Sequence, residues 1–195
     1  GSLSDRMELK TGVEVIGRDH HYSTNEGDRS LNELIAAAFA EADVFTSKTF
    51  VSRGGIRLEY NASTNRVQLD PRFSLGYKMT STTQFAMAYG KFSQSARNDL
   101  LLVNPKLRPE EADHLILNCQ MIDNNRTFRI EGYHKRYTNL VKYNNGDKND
   151  LHNSGYGFAS GLELFWRDRS SFKNVDYWIS YSFLDTKRDY LHFPL

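Results

Sequence analysis

A chain of 195 residues is long enough for one domain with a sizeable core, and it reads as a single segment over residues 1–195. A formal net charge of +1 gives no basic surface for nucleic acid, and a lone cysteine, Cys119, excludes an intrachain disulfide. The mean hydropathy of −0.62 is that of a polar soluble protein, but a transmembrane barrel gives the same average, because only alternate strand residues face lipid.

Residues 1–5 carry no hydrophobic signal core, and Gly1-Ser2 reads as a cloning scar at a disordered start. The first strand is expected over 7–20, with Met7, Leu9, Val13 and Val15 on one face and Glu8, Lys10, Glu14 and Arg18 on the other. Residues 23–30 are polar and read as a loop. Residues 31–42 are Ala-rich, and propensity alone favours helix there. The neighbours are strands, so 37–47 is expected as a strand with Ala38, Ala40, Ala42 and Val44 opposite Glu41 and Asp43; a helical turn at 31–36 stays open. Strands follow over 51–61 and 67–80, joined by a turn at 61–65. Phe85, Met87 and Tyr89 then alternate with Ala86, Ala88 and Gly90.

Residues 94–112 read as a long loop with Pro105 and Pro109. Alternation resumes at Leu115, Leu117, Cys119 and Met121, turns at Asp123-Asn124-Asn125, and continues over 127–142. A polar loop at 144–150 precedes a last hairpin of 155–167 with 175–189. Its second strand is the clearest of all: Val175, Tyr177, Ile179, Tyr181 and Phe183 oppose Asp176, Trp178, Ser180 and Ser182. Short breaks (47–49, 80–83, 123–125, 168–174) alternate with longer ones (22–33, 94–112, 143–154), 61–65 being the brief exception. Outer-membrane barrels have this asymmetry of short periplasmic turns and longer outer loops.

One parity collects charges of both signs: Arg53, Arg57, Glu59, Arg72, Lys78, Arg129, Glu131, Lys135, Glu163 and Arg167. They suit a wet lumen, where they pair with each other or with a plug; the plainer reading is the solvated face of a soluble sheet. Tyr60, Tyr77, Tyr89, Trp166 and Tyr177 lie on the apolar parity and suit interfacial girdles, or else ordinary core packing. Cys119 shares that parity as a small lipid-facing or core residue.

Other motifs carry less chemistry. Gly155-Tyr156-Gly157-Phe158-Ala159-Ser160-Gly161 is one residue off a dinucleotide fingerprint, but a strand follows it where a helix is required. Gly155, Gly157, Ala159 and Gly161 instead form a small-residue stripe on the charged parity. Asp19-His20-His21 could ligate a transition metal, but adjacent histidines on a strand point to opposite faces. The 144–150 loop has calcium-like Asp and Asn content without the closing Glu of an EF-hand. His114, His134, His152 and His192 are scattered. No catalytic, cofactor or metal residue is nominated, and no enzyme is expected.

Three stretches resemble the barrel wall of TonB-dependent outer-membrane receptors of the Bacteroidetes type. Leu107-Arg108-Pro109-Glu110-Glu111-Ala112-Asp113-His114 is similar to the Leu-x-Pro-Glu that opens a returning strand. The run Gly155 to Leu164 resembles the family's Gly-x-Glu-Leu strand, and Tyr177-Trp178-Ile179-Ser180-Tyr181-Ser182-Phe183-Leu184-Asp185-Thr186 the Tyr-Ser-Tyr-x-Asp-Thr strand after it. Order and spacing match as well. No plug domain or TonB box is visible, and His192-Phe193-Pro194-Leu195 departs from the family's aromatic terminal strand. Barrels of about 22 strands are not completed by about nine, and a bilayer does not tolerate an open edge, so a fragment is expected.

The fold expected is therefore all-β: an antiparallel meander of about nine strands forming a partial transmembrane barrel wall. The resemblance implies energy-coupled uptake of an iron chelate, a cobalamin or a glycan across a Gram-negative outer membrane. Its implied partners are outer-membrane lipid, a plug domain, the TonB complex and the small-molecule or glycan ligand. The alternative is a soluble β-barrel or sheet module that binds an apolar ligand.

Overall fold

The computed structural model describes residues 2–4, 6–24, 27–143, 150–189 and 191. Their backbone forms one ten-stranded antiparallel sheet in which each strand pairs with its neighbours in sequence. The strands are β1 (Ser2–Ser4), β2 (Met7–Thr24), β3 (Gly27–Phe45), β4 (Phe50–Asn61), β5 (Arg66–Lys78), β6 (Thr83–Gln94), β7 (Glu110–Asp123), β8 (Arg126–Tyr143), β9 (Leu151–Asp168) and β10 (Tyr177–Arg188). β1 is a stub of three residues, so nine long strands build the wall. Among the described residues β10 pairs with neither β1 nor β2, and the sheet is an open, partial barrel.

Register carries the sequence alternation across the sheet. One row runs Val44, Ser52, Leu75, Met87, Leu117, Gly132, Leu162 and Phe183 from β3 to β10. Its apolar side chains point outward, and nothing covers them: Leu117 is 54% exposed and Phe183 is also 54% exposed. A soluble monomer rarely leaves so wide an apolar face open, whereas a bilayer supplies its cover. The next row, Asp43, Arg53, Ser74, Ala88, Ile116, Tyr133, Gly161 and Leu184, lies on the opposite face.

Several local expectations are corrected. Residues 23–24 and 27–30 are not a loop: β2 and β3 stay paired out to Thr24↔Gly27, and residues 25–26 lie outside the described residues. Nor is 31–36 a helical turn; it lies inside β3. Crossing a bilayer takes about 9–11 tilted residues, and β2 and β3 have 18 and 19. The excess stands beyond the apolar band, where the outer parity carries Asp19, His21, Ser30 and Asn32 and alternation fades. Residue 94 and residues 110–112 belong to β6 and β7, so the break between them is 95–109, and it contains a short helix, α1 (Asn98–Val103). Val175 and Asp176 precede β10 and lie in the turn. At the near end, strands join through 46–49, 79–82, 124–125 and 169–176; the described far-end connections are 62–65 and 95–109. The expected asymmetry thus rests on one far-end connection, 95–109, because 169–176 at the near end is as long as the remaining far-end breaks or longer. Residues 144–149 of the calcium-like loop, and 192–195, lie outside the described residues.

Turn chemistry explains the tight joints. Asn124 and Asn125 have φ of 45° and 65°, as a two-residue hairpin turn between Asp123 and Arg126 requires. The β5–β6 ladder stops at Arg72↔Gly90, beside Pro71, whose nitrogen has no hydrogen to donate. β8 bulges between Tyr137 and Leu140, with Asn139 at φ 57°. Gly155 sits against this bulge, and a Cβ there would lie 2.7 Å from the Leu140 carbonyl oxygen.

The connection 95–109 folds back onto the wall. Ala96, Leu101 and Leu107 pack with Val141, Tyr143 and Leu151 of β8 and β9, flanked by Leu31, Leu100 and Leu191. Asn153 clips it on one side, accepting from the Arg108 N–H at 2.7 Å and donating to the Arg108 carbonyl at 3.0 Å. Asn61 clips it on the other, donating to Ser95 Oγ at 3.1 Å.

Candidate functional site

The register places Arg53, Arg57, Glu59, Arg72, Lys78, Arg129, Glu131, Lys135, Glu163 and Arg167 on the face opposite the apolar rows. They do not form one cluster. Arg53 Nη2 donates to Asp43 Oδ2 at 2.9 Å, Lys10 reaches the same carboxylate at 3.3 Å, and Glu41 lies 3.3 Å from Arg53 Nε. Arg57 bridges Glu14 at 2.9 Å and Glu59 at 3.0 Å. Such two-sided pairing is what keeps a buried carboxylate such as Asp43 charged. Towards β10 the pattern changes. Arg72 covers the Phe92 ring at 4.8 Å and Lys135 covers the Tyr133 ring at 5.4 Å. Glu131 accepts from Asn118 at 3.1 Å and stands directly across from Glu163. Arg167 lies one residue from the near end of β9 and pairs with Asp176 of the following turn.

Gly161, one member of the small-residue stripe, has a physical reason. Tyr133 lays its ring over Gly161, in the volume a Cβ would take, and Phe39 does the same over Gly12. Glycine makes room for an aromatic ring lying flat against the sheet. On the outer face Trp166 sits two residues from the near end of β9, with Phe128 beside it at 6.3 Å between ring centroids. Tyr77 lies at the near end of β5, Tyr60 at the far end of β4, and Tyr177 begins β10; Tyr89 lies within β6.

The far rim holds a cavity of about 500 Å³ between the β2–β4 wall and the folded-back connection. Arg18, His20, Tyr22, Glu33 and Glu59 line it from the wall, and Ser93, Ser95 and residues 97–99 from the other side. Asn61, with 0% exposure, is its strut. Its amide donates to Glu33 Oε1 at 3.0 Å and to Ser95 Oγ at 3.1 Å, while its Oδ1 accepts the N–H groups of Ser63 at 3.0 Å and Thr64 at 3.3 Å. Glu33 and Asn61 were not singled out from sequence. Asn61 opening the polar run 61–65 was the available signal for a turn-capping side chain. Reading 31–36 as strand would have put Glu33 on the charged parity. His20 and His21 point to opposite faces, as adjacent strand residues must, and no group of three or more metal-ligating side chains occurs among the described residues.

The family model described as TonB dependent receptor-like, beta-barrel, matches residues 13–194. The chain belongs to this family. Solved structures agree in fold. The siderophore receptor PirA from Pseudomonas aeruginosa superposes with a TM-score of 0.78 at 12% identity, over 92% of this chain and 37% of that one. The FrpB iron transporter from Neisseria meningitidis (F3-3 variant) gives 0.73 at 14%, over 94% and 34%. The outer membrane transporter YddB from Escherichia coli gives 0.68 at 14%, over 83% and 26%. At these identities the likeness is one of fold, and the chain spans about a third of the length of PirA and FrpB. No curated protein matches it. The segment is thus a stretch of outer-membrane barrel wall of a TonB-dependent receptor.

Proposed function

We propose that this segment supplies wall and outer connections to a TonB-dependent receptor that takes up a scarce nutrient: an iron chelate, a cobalamin or a glycan. The carrying observation is the pairing of an uncovered apolar face with an ion-paired polar face on one open antiparallel sheet. In this reading the ten charged residues face a lumen. There they meet each other and a plug domain, which the TonB complex moves. The role is transport, and no catalytic role is assigned. The names of the fold relatives, an iron transporter and a siderophore receptor among them, support uptake as the class of activity.

The test is uptake by cells that carry or lack the full-length receptor, with and without functional TonB. Growth on one limiting iron chelate, cobalamin or glycan that requires both is the expected result. Equal growth of all strains on every such nutrient would overturn the reading. The soluble alternative has its own test. A chain that sediments as a compact monomer in plain buffer would have found a cover for its apolar face other than lipid.

A further inference from the structure

The charged face is not polar throughout. Between the ion pairs of β3 and β4 and the facing acids Glu131 and Glu163, it carries an apolar hollow of about 390 Å³. Register builds it. Two neighbouring rows cross β4 to β7 here: Val51, Gly76, Ala86 and Asn118 in one, Arg53, Ser74, Ala88 and Ile116 in the next. Gly76, Ala86 and Ala88 have too little side chain to rise from the sheet, so they form a floor. Phe45, Val51 and Ile116 stand around it. Val51 leans over Gly76, where a Cβ would lie 3.0 Å from Val51 Cγ1, and Phe45 is 42% exposed. Towards the near end the hollow continues into a second of about 280 Å³, which adds Ser47, Thr49, Gln84 and Lys78. Lys78 has no acidic partner among the described residues, unlike Lys10, Arg53 and Arg57 on the same face.

Its position restricts what can cover it. In the receptor reading, lipid lies against the other face of the sheet. The connection 95–109 packs on β8 and β9 at the far rim, at the opposite end of the strands. Water filling the hollow meets a floor of hydrocarbon with few groups to bond, and exposed apolar surface rimmed by polar residues marks a contact with protein. The flanking polar groups are already engaged, Arg53 with Asp43 at 2.9 Å and Glu131 with Asn118 at 3.1 Å, so a charged small molecule gains little here. An apolar recess inside a polar rim is the form that receives one large anchoring side chain. The free ammonium of Lys78 at its mouth calls for an acid beside that anchor.

We propose that this hollow anchors the plug domain: an aromatic or long aliphatic side chain of the plug inserts over Gly76, Ala86 and Ala88, with a plug carboxylate against Lys78. The inference rests on the receptor reading above and names where on the wall, and by what chemistry, that domain is held. The ion-paired residues around it, Arg53 and Asp43 among them, then serve as rim and not as the grip.

The test uses the full-length receptor with the photocrosslinker p-benzoylphenylalanine in place of Ile116, beside the hollow, or in place of Ser182, on the same face of β10. Irradiation at position 116 should join the barrel to the plug at an apolar plug residue, and position 182 should not give that product. Ala88→Asp charges the floor and Ala88→Trp fills it. Each should speed protease digestion of the plug by about tenfold or more, the effect of losing one anchor side chain, while Ser182→Asp leaves the parent rate. Lys78→Glu should act in the same direction, and an unchanged rate there overturns the acidic part of the contact. Heat-modifiability shows that the barrel has formed, and the crosslink remains decisive if an Ala88 variant does not fold. Crosslinking from 116 to lipid, to a bound small molecule or to no part of the plug overturns the inference. So does digestion at the parent rate in both folded Ala88 variants. A full-length protein with no protease-separable domain inside its barrel fails the receptor reading instead.

Discussion

Tyr133 and Gly161 face each other across β8 and β9, and the tyrosine ring occupies the space above the glycine. Gly161→Val must displace that ring and should cost about 1–3 kcal/mol, the usual range for overpacking. Gly132 has open space where a Cβ would go, on the outer face, so Gly132→Val should be near neutral. Urea unfolding of the detergent-folded barrel measures both. Equal losses would show that the ring yields freely.

The apolar face predicts a sharp dependence on parity. Leu117→Arg or Ile179→Arg should destabilise the folded barrel in lipid by about 2–4 kcal/mol if placed near the bilayer midplane. Ser180→Arg, one residue along β10 on the other face, should change little. Folding yields into lipid vesicles would compare the three directly. A penalty at Ser180 to match that at Ile179 would reverse the facing assignment.

The near-end turn carries a pH signature. Asp168 accepts the Ser171 hydroxyl at 2.6 Å and the backbone N–H groups of Ser170 and Ser171 at 2.8 and 2.9 Å. These bonds, led by the Ser171 hydroxyl, hold its carboxyl well below the usual range, against a smaller opposing push from desolvation. Asp176 is lowered too, chiefly by Arg167. An Asp in an unfolded chain titrates near about 3.9. The contribution of a lowered carboxyl is complete above that value and fades as pH falls through the lower folded-state one. Hydrogen exchange over 168–176 should therefore stay slow from pH 7 to about 5 and accelerate only in stronger acid. Asp168→Asn should speed exchange near neutral pH, approach the parent in strong acid, and so flatten the acid response. An unchanged profile in that variant would remove Asp168 as the cause.

Asn61 ties the far-rim connection to the wall. Asn61→Ala breaks four contacts at a site with 0% exposure. Leaving buried groups unpaired costs about 1–3 kcal/mol. Limited proteolysis should then cut within 95–109 faster than in the parent, while Ser95→Ala, which loses one contact, gives an intermediate rate. Cleavage at the parent rate in both would place the hold elsewhere, on Asn153 and the apolar cluster.

The wall was legible because a bilayer enforces one-face hydrophobicity. Phe73, Leu75 and Tyr77 must alternate with Arg72, Ser74 and Gly76 wherever lipid lies on one side. The projecting hairpin of β2 and β3 was not legible, since Asp19, His21, Ser30 and Asn32 meet water on the outer parity as well, and their polarity looks like that of a loop. The far-rim cavity was hidden for another reason. His20 and Glu33 come together only through the β2–β3 register, which sets His20 beside Leu31 and Arg18 beside Glu33. The connection 95–109 then closes over them by contacts with Asn61 and Asn153 that no local pattern announces.

Because every ladder joins strands adjacent in sequence, each hairpin can zip shut from its own turn without waiting for distant chain. Local pairing of this kind carries the smallest loop-closure penalty. The wall can therefore grow at a single advancing margin, and its unpaired backbone is confined throughout to the first and latest strands. Only the final seam of a finished barrel demands a meeting between remote parts of the chain, so that seam is where assembly should stall.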